Sequence, residues 1–228
     1  MSLKEFILSN RDYFEDFITR STHQSNAIEG NTLSYAETYA ILFNDNSLKI
    51  TAQPREIYET INLKYAMNYV IKSLDEPLSE QLIQNIGIMI NKNINEIDGY
   101  RREQVFIRGA EHIPPAANMV KTNMMYFVYN YNHTSFDSPF HRAANKHIEF
   151  ERIHPFGDGN GRTGRLLINY EMLKNNLPPV IIPAEERTKY FKLLADVDEK
   201  GLSEFFMELC HNENQRLKQF GYETPAWI

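Results

Sequence analysis

Apolar residues recur through most of this chain at intervals of three and four positions, the spacing of one face of an α-helix. A first helix is predicted over residues 11–29, and Gly30 is its predicted stop, because glycine readily adopts the left-handed conformation that ends many helices. The capping box Ser34-Tyr35-Ala36-Glu37 predicts the start of the next helix. Further helices are expected from Pro54, over 77–94, from Met119 to Tyr131, from Ser138-Pro139, over 166–175, after Pro183 and from Leu202.

The same pattern predicts which helix faces are buried. In the helix that follows Pro54, a stripe at four-residue spacing is predicted to face the core: Ile57, Ile61, Tyr65 and Tyr69. In a later helix, tyrosines at 126, 129 and 131 form a cluster that resembles a stacking platform for single-stranded nucleic acid. Because few basic residues lie between these tyrosines, we interpret the cluster as core packing instead.

The helical period breaks between Gly99 and Pro115. Val105-Phe106-Ile107 favours β-structure and a glycine-containing turn follows, which predicts a short hairpin. An isolated hairpin is marginally stable and must therefore lean on the helices. An interhelical loop with some strand character is the alternative. The predicted fold class is all-α with this one short β-excursion.

Length and composition fit one globular domain, since 228 residues, 42% of them hydrophobic, suffice for a substantial core. The net charge of −6 argues against broad nucleic-acid or membrane-surface binding. The single cysteine, Cys210, excludes an internal disulfide and is compatible with a reducing cytosol. No apolar run approaches membrane-spanning length, and the N-terminus lacks the regions of a signal peptide. We therefore expect a cytoplasmic protein.

The densest set of candidate functional residues lies between His154 and Arg165, in the order His-Pro-Phe-Gly-Asp-Gly-Asn-Gly-Arg-Thr-Gly-Arg. Three glycines alternate there, at positions 157, 159 and 161, and glycine lets a backbone approach a ligand closely. The apolar spacing predicts that this loop opens a helix. The free N–H groups of a helix start point outward and suit phosphate.

The polar side chains of this segment fit the same ligand. Arg162 and Arg165 would oppose the helix dipole at about 0.3–1 kcal/mol each, and a bound polyphosphate would turn that cost into favourable contacts. Asp158 is a lone carboxylate, which is enough for Mg²⁺ when phosphates supply further ligands. His154 precedes Pro155, which disfavours helix at 154 and predicts a side chain presented at the helix end as a general base.

The segment resembles the signature of the Fic family, H-P-F-x-[D/E]-G-N-G-R-x-x-R, at every defined position. The resemblance implies a Fic-type helical bundle and a nucleotidyltransferase that moves AMP from ATP to a Ser, Thr or Tyr hydroxyl of a target protein. It implies His154 as the base and Mg²⁺ on Asp158. ATP phosphates would be bound by Gly159, Asn160, Gly161, Arg162 and Arg165. Nucleoside contacts would come from Asn169 and Tyr190.

The stretch Ser25-Asn26-Ala27-Ile28-Glu29-Gly30 is by itself a helix end. Beside the Fic signature it resembles the family's inhibitory motif, [S/T]-x-x-x-E-[G/N]. Ser25 and Glu29 are four residues apart and so lie on one helical face. The resemblance implies that Glu29 pairs with Arg165 and withholds it from the γ-phosphate, so that the chain inhibits itself.

The family also places a flap beside the active site that holds the target segment by strand-like pairing. Our candidate for it comprises Phe106, Ile107, Arg108, Gly109, Ala110, Glu111, His112 and Ile113. We interpret His112 as structural, not catalytic. The predicted organisation is an N-terminal helical segment with the inhibitory motif over 1–50, a Fic catalytic core over 51–220 and a C-terminal tail over 221–228.

Several alternatives stay open. A related enzyme would transfer another phosphate-linked moiety or remove AMP from a modified protein, with Glu29 orienting the attacking water. A non-enzymatic module would bind nucleotide or a partner without turnover. A toxin-like growth regulator would need a separate antitoxin, which an internal Glu29 motif makes unnecessary. The oligomeric state is also open, since relatives often form homodimers, which could hold Glu29 in place.

Overall fold

A computed structural model describes residues 1–43, 48–107 and 111–223 of the chain. Within these ranges the chain is helical, as predicted, with ten α-helices and one short 3-10 helix, Ala184–Glu186. In chain order the α-helices are α1 (Leu3–Ser9), α2 (Arg11–Ile28), α3 (Tyr35–Phe43), α4 (Pro54–Lys72), α5 (Glu80–Asn91), α6 (Ala117–His133), α7 (Pro139–Ile153), α8 (Asn160–Lys174), α9 (Arg187–Ala195) and α10 (Glu199–Gln219).

Helix α8 is the centre of the fold. All its residues except Gly161 and Lys174 are buried, the pattern of a helix surrounded by protein. Leu166 and Tyr170 pack into a core shared with α1, α2, α4, α5 and α6. Its other side packs against α7 and α10 through a second core that includes Ile168. The start of α8 is therefore fixed from several directions.

Helices α7 and α8 approach each other closely. Ser138 caps α7, its Oγ accepting the N–H of His141 at 3.1 Å, and Pro139 occupies the first helical position, as predicted. At Gly164 of α8 a Cβ atom would lie 2.7 Å from Cε1 of His147, so a larger residue would push the two helices apart. This contact sets the position of the turn that joins α7 to α8.

The N-terminal helices bring a second segment to the start of α8. Helix α2 ends at Ile28, and Gly30 follows with φ of 94°, where a β-carbon would be strained. The predicted capping box also forms, since the N–H of Glu37 donates to Ser34 Oγ at 3.3 Å and the Glu37 carboxylate accepts the N–H of Ser34 at 2.9 Å. The chain therefore leaves helix directly after α2 and re-enters it at Tyr35.

Two predictions of buried faces are wrong. In α4, Tyr65 is 62% exposed, and the helix instead buries the face of Leu63, Ala66, Met67 and Val70. The predicted stripe lies on the other side of α4 from this face, where Ile57 and Ile61 are only half-buried and Tyr69 packs partly buried against the edge of the core. In α6, Tyr126 and Tyr129 are exposed, and of the three tyrosines only Tyr131 is buried.

The stretch predicted as a hairpin contains no β-strand among its described residues, 99–107 and 111–116. Three residues of the predicted flap, Arg108, Gly109 and Ala110, lie outside the described part of the chain, so the hairpin stays a prediction. Across the described ranges, none of the helices combines the length and the apolar character that crossing a membrane requires.

Candidate active site

The predicted catalytic segment forms the turn between α7 and α8. His154 ends α7 in the left-handed conformation, with φ of 50° and ψ of 61°, and Gly159 caps α8 with φ of 76°. A left-handed histidine is uncommon, and Pro155 further disfavours right-handed helix at this position. Such a conformation persists only where the surroundings hold it. His154 is thereby turned out of α7, and its side chain is partly exposed at the turn.

Arg101, which was not a sequence candidate, holds this turn. Its backbone N–H donates to the Pro155 carbonyl at 2.8 Å, and its Nε donates to the His154 carbonyl at 2.8 Å. The same buried guanidinium donates to the carbonyls of Glu103 at 2.9 Å and Pro115 at 2.6 Å. One side chain therefore joins the turn at His154 to the segments that precede and follow the predicted flap.

The imidazole of His154 is oriented by the helix it terminates. Its Nδ1 lies 3.2 Å from the carbonyl oxygen of Glu151. A carbonyl only accepts, so Nδ1 carries the proton and Nε2 keeps its lone pair. Burial lowers the pKa of His154 below its usual value, opposed in part by this hydrogen bond. The neutral form that a general base needs is therefore present at neutral pH.

The shape of the glycine-rich turn is fixed by amide side chains. Asn160 accepts the N–H of Phe156 at 2.9 Å and donates to the Phe156 carbonyl at 2.8 Å. Asn91 of α5 donates to the Asp158 carbonyl at 3.0 Å. At Gly159 a Cβ atom would lie 3.1 Å from the Asn91 amide, so the glycine is also needed for space. Asn160 was predicted to bind phosphate, and its side chain here stabilises the turn itself.

Arg162 and Asp158 belong to a ring of four alternating charges that α4 completes. Arg162, only 3% exposed, places Nη2 3.4 Å from Asp158 Oδ1 and Nη1 3.3 Å from Glu59 Oε1. Arg55 Nη2 donates to Asp158 Oδ2 at 2.6 Å, and Arg55 Nε donates to Glu59 Oε1 at 3.0 Å. Neither α4 residue was a sequence candidate. We call these four residues the charge ring.

Arg165 is held by the end of α2. It is 6% exposed and donates from Nη2 to Glu29 Oε1 at 2.7 Å and to the Ser25 carbonyl at 3.0 Å. Its Nε donates to Ser25 Oγ at 2.9 Å. A Cβ atom at Gly161 would lie 2.4 Å from Glu29 Oε1, so the carboxylate rests directly against the start of α8. Both residues of the predicted inhibitory motif thus contact Arg165.

The two predicted nucleoside residues lie in different surroundings. Asn169 lines a small cavity between α2, α4 and α8 that Arg162 and Arg165 also line. Its amide exchanges hydrogen bonds with the backbone of Val180, at 3.0 and 2.8 Å. Tyr190 is fully buried, and its hydroxyl lies 2.6 Å from Nε2 of His147. Of the two residues, Asn169 is therefore the one that lies beside both arginines.

The described flap residues lie at the surface near the histidine turn. Phe106 is 77% exposed and Ile113 is 64% exposed. His112 Nε2 lies 2.9 Å from the carbonyl oxygen of Arg152 at the end of α7. Because that carbonyl only accepts, the imidazole donates this bond, which anchors the segment. The contact is of the structural kind expected for His112.

Comparison with known proteins identifies the family. Residues 77–172, which contain the whole turn, match the model of the Fic/DOC family. This part of the chain is therefore a Fic/DOC domain. A relative from Drosophila virilis, named Protein adenylyltransferase Fic, is 33% identical over 190 residues, which cover 80% of this chain and 38% of the relative. The chain thus matches less than half the length of that Fic relative.

Solved Fic structures share the fold. A Fic domain containing signaling protein from Bacteroides thetaiotaomicron superposes with a TM-score of 0.79 at 21% identity, covering 89% of this chain and 87% of that one. Fic-1 from C. elegans gives a TM-score of 0.76 at 27% identity, covering 92% of this chain and 64% of that one. The predicted Fic-type helical bundle is thereby confirmed.

The turn between α7 and α8 suits a nucleotide whose own phosphates complete the coordination of a metal. Within the described ranges no three His, Cys, Asp or Glu side chains come together as a metal site, so Asp158 would need phosphate oxygens as further ligands. Arg162 Nε and Arg165 Nη1 are buried N–H groups without a hydrogen-bond partner among the described residues. A buried unpaired donor costs about 1–3 kcal/mol, and a phosphate oxygen would satisfy both.

Proposed function

We propose that this Fic protein is a protein adenylyltransferase that transfers AMP from ATP to a Ser, Thr or Tyr hydroxyl of a target protein. The observation that carries the proposal is the neutral, outward-turned His154 beside two buried arginines with unpaired N–H groups. The name of the Drosophila relative, Protein adenylyltransferase Fic, supports the same activity.

In the proposed reaction, His154 Nε2 accepts the proton of the target hydroxyl as its oxygen attacks the α-phosphorus. The bond between the α-phosphorus and the bridging oxygen breaks, and pyrophosphate leaves. Arg162, and Arg165 once it is freed, stabilise the negative charge on the leaving group. A Mg²⁺ ion held by Asp158 and the nucleotide phosphates would supply further charge neutralisation. As in other phosphoryl-type transfers, the protein mainly positions and stabilises.

Autoinhibition by Glu29 is part of the proposal. The Glu29 carboxylate accepts a hydrogen bond from Arg165 and lies against Gly161, where its negative charge would repel a γ-phosphate. ATP would then bind without the alignment that transfer needs. The Glu29 side chain is about one-third exposed, so it can rotate out without unfolding α2.

The same position of Glu29 favours a second candidate, the removal of AMP from a modified protein. A carboxylate against the α8 start could orient a water for attack on a phosphorus atom. Incubation with a pre-modified target, comparing wild type with Glu29→Gly, separates the two activities. Loss of AMP release in the variant would favour this second candidate.

The remaining assignments are proposals that rest on placement. We propose that Asn169 contacts the nucleoside from the cavity that both arginines line. Tyr190, which is fully buried, would support the site through its hydrogen bond to His147. We propose that Phe106 and Ile113, both exposed, dock the target segment in a hairpin flap. A homodimer and a cytoplasmic location stay predictions.

The test of the base is His154→Ala in the Glu29→Gly background. General-base catalysis contributes about 10²–10⁴-fold, so we expect transfer of label from α-labelled ATP to fall by that factor while ATP binding persists. Calorimetric titration with a non-hydrolysable ATP analogue checks binding in the same protein. Transfer at the parental rate would refute the assignment of His154.

A further inference from the structure

The carboxylate proposed to hold the metal is already engaged by a basic side chain. Asp158 Oδ1 accepts the N–H of Gly159 at 2.6 Å and faces Arg162 at 3.4 Å, so this oxygen is tied to the turn. Oδ2 accepts a hydrogen bond from Arg55 at 2.6 Å. The oxygen left for a cation is therefore the one that Arg55 occupies.

Arg55 is built into this position from α4. It is the second residue of that helix, and its Nε donates to Glu59, one turn later, at 3.0 Å. Glu59 is buried, and its other oxygen accepts the Nδ2 amide of Asn31 at 3.0 Å. The side chain of Arg55 is nevertheless 55% exposed. The guanidinium is thus aimed at Asp158 by a fixed neighbour but is free to leave into solvent.

We propose that Arg55 competes with the divalent cation for Asp158 Oδ2 and thereby lowers the metal affinity of the nucleotide complex. The inference rests on the proposed function, in which Asp158 holds Mg²⁺. A positive guanidinium and a divalent cation cannot share one oxygen without strong repulsion. Arg55 acts on the metal through Asp158. The Arg55–Asp158 pair is separate from the Arg165–Glu29 pair.

The competition predicts that metal binding opens the charge ring. Once Arg55 leaves, Glu59 keeps Arg162 and the Asn31 amide as partners, so no buried charge is left alone. An ion pair between partly exposed groups is worth about 0.2–1 kcal/mol, which corresponds to at most about a fivefold change in affinity. Arg55 would therefore tune metal binding and would not block it.

The experiment is a titration of Mn²⁺, followed by electron paramagnetic resonance, at saturating α,β-methylene-ATP. We expect Arg55→Met to bind Mn²⁺ about twofold to fivefold more tightly than wild type. Arg11→Met is the matched control, because Arg11 also forms a partly exposed i,i+4 pair, with Glu15 at 2.7 Å, and loses the same charge far from the site. It should bind Mn²⁺ like wild type. Unchanged or weaker binding in Arg55→Met would overturn the inference, and weaker binding would make Arg55 a phosphate contact.

Asp158→Asn separates this inference from the proposed function. If Asp158→Asn binds Mn²⁺ as tightly as wild type, the metal assignment of the proposed function fails. If Asp158→Asn weakens binding and Arg55→Met leaves it unchanged, only the competition fails. When Asp158→Asn is already present, adding Arg55→Met should no longer tighten Mn²⁺ binding. A gain that persists there would show a general field effect and would contradict direct competition.

Discussion

The two arginines at the start of α8 are both paired with acidic side chains, but in different ways. Arg165 is held by Ser25 and by one carboxylate, that of Glu29, at the end of α2. Arg162 lies in the charge ring, where two acids and a second arginine share the contacts. Rotation of one partly exposed glutamate removes the carboxylate bonded to Arg165 and leaves only its bonds to Ser25, whereas Arg162 keeps an acidic partner when any one ring contact opens. Arg165 is thus the adjustable arginine and Arg162 the fixed one.

Removing each arginine in turn tests this difference most strongly. In the Glu29→Gly background we expect Arg162→Ala and Arg165→Ala each to reduce label transfer about 10²–10³-fold, because each removes donors to the developing charge. With Glu29 intact, Arg165→Ala should add little to an already low rate. Measured transfer rates in both backgrounds decide the comparison. Full activity of Arg162→Ala would reduce the charge ring to a structural role.

A second carboxylate, that of Glu151, lies near Arg165. Burial raises the pKa of Glu151 from 4.5 to about 7, so it does not compete with Glu29 as a fully charged partner. A raised pKa means that its contribution to stability is complete below pH 4.5 and is lost as the pH rises through 7.

We expect Glu151→Gln to remove this pH dependence. The difference in unfolding free energy between about pH 5 and pH 8 should shrink by up to about 3 kcal/mol relative to wild type. Chemical denaturation at both pH values measures it. The comparison with wild type cancels opposing contributions such as that of His147, whose pKa burial lowers to about 3. Identical pH dependence in both proteins would mean that Glu151 is ionised and shares Arg165.

Replacing Arg101, which supports the turn at His154, should have the smallest of these effects on activity. Arg101→Met removes the bonds to the carbonyls of His154, Glu103 and Pro115, so the histidine turn loses its support. We expect kcat in the Glu29→Gly background to fall about tenfold with KM for ATP little changed, because a slight misplacement of the base affects the transition state. Arg102→Met, an exposed neighbour, is the control. A loss confined to KM would place Arg101 in substrate binding instead.

The segment 154–165 and the Glu29 motif could be predicted from the sequence because the residues of each motif lie close together along the chain. His154, Asp158 and Arg165 fall within twelve residues, and the spacing of Ser25 and Glu29 is one helical turn. The charge ring had no such signal, since Arg55 and Asp158 are separated by 103 residues. A lone arginine near a helix start is typical of a solvated face. Only the packing of α4 against α8 reveals its partner.

The errors in the fold have a similar origin. The pattern identified α4 and α6 as helices, but the choice of buried face depends on which neighbours they meet. Tyr65, Tyr126 and Tyr129 are large and aromatic, and composition alone favours burying them. In both helices part of the apolar surface faces solvent, and these tyrosines lie on that part. A single sequence contains the periodicity but not the neighbours.

Mg²⁺-dependent transfer of label from α-labelled ATP to protein, compared between wild type and Glu29→Gly, tests both AMP transfer and its inhibition by Glu29. A charge-assisted hydrogen bond is worth about 1.5–3 kcal/mol, so freeing Arg165 should raise labelling by roughly tenfold or more. Glu29→Gln, which keeps the size but not the charge, should activate in part. Strong labelling in Glu29→Gly and little in wild type is the predicted result. Equal labelling in the two proteins would contradict inhibition by Glu29, and none in either would contradict AMP transfer itself.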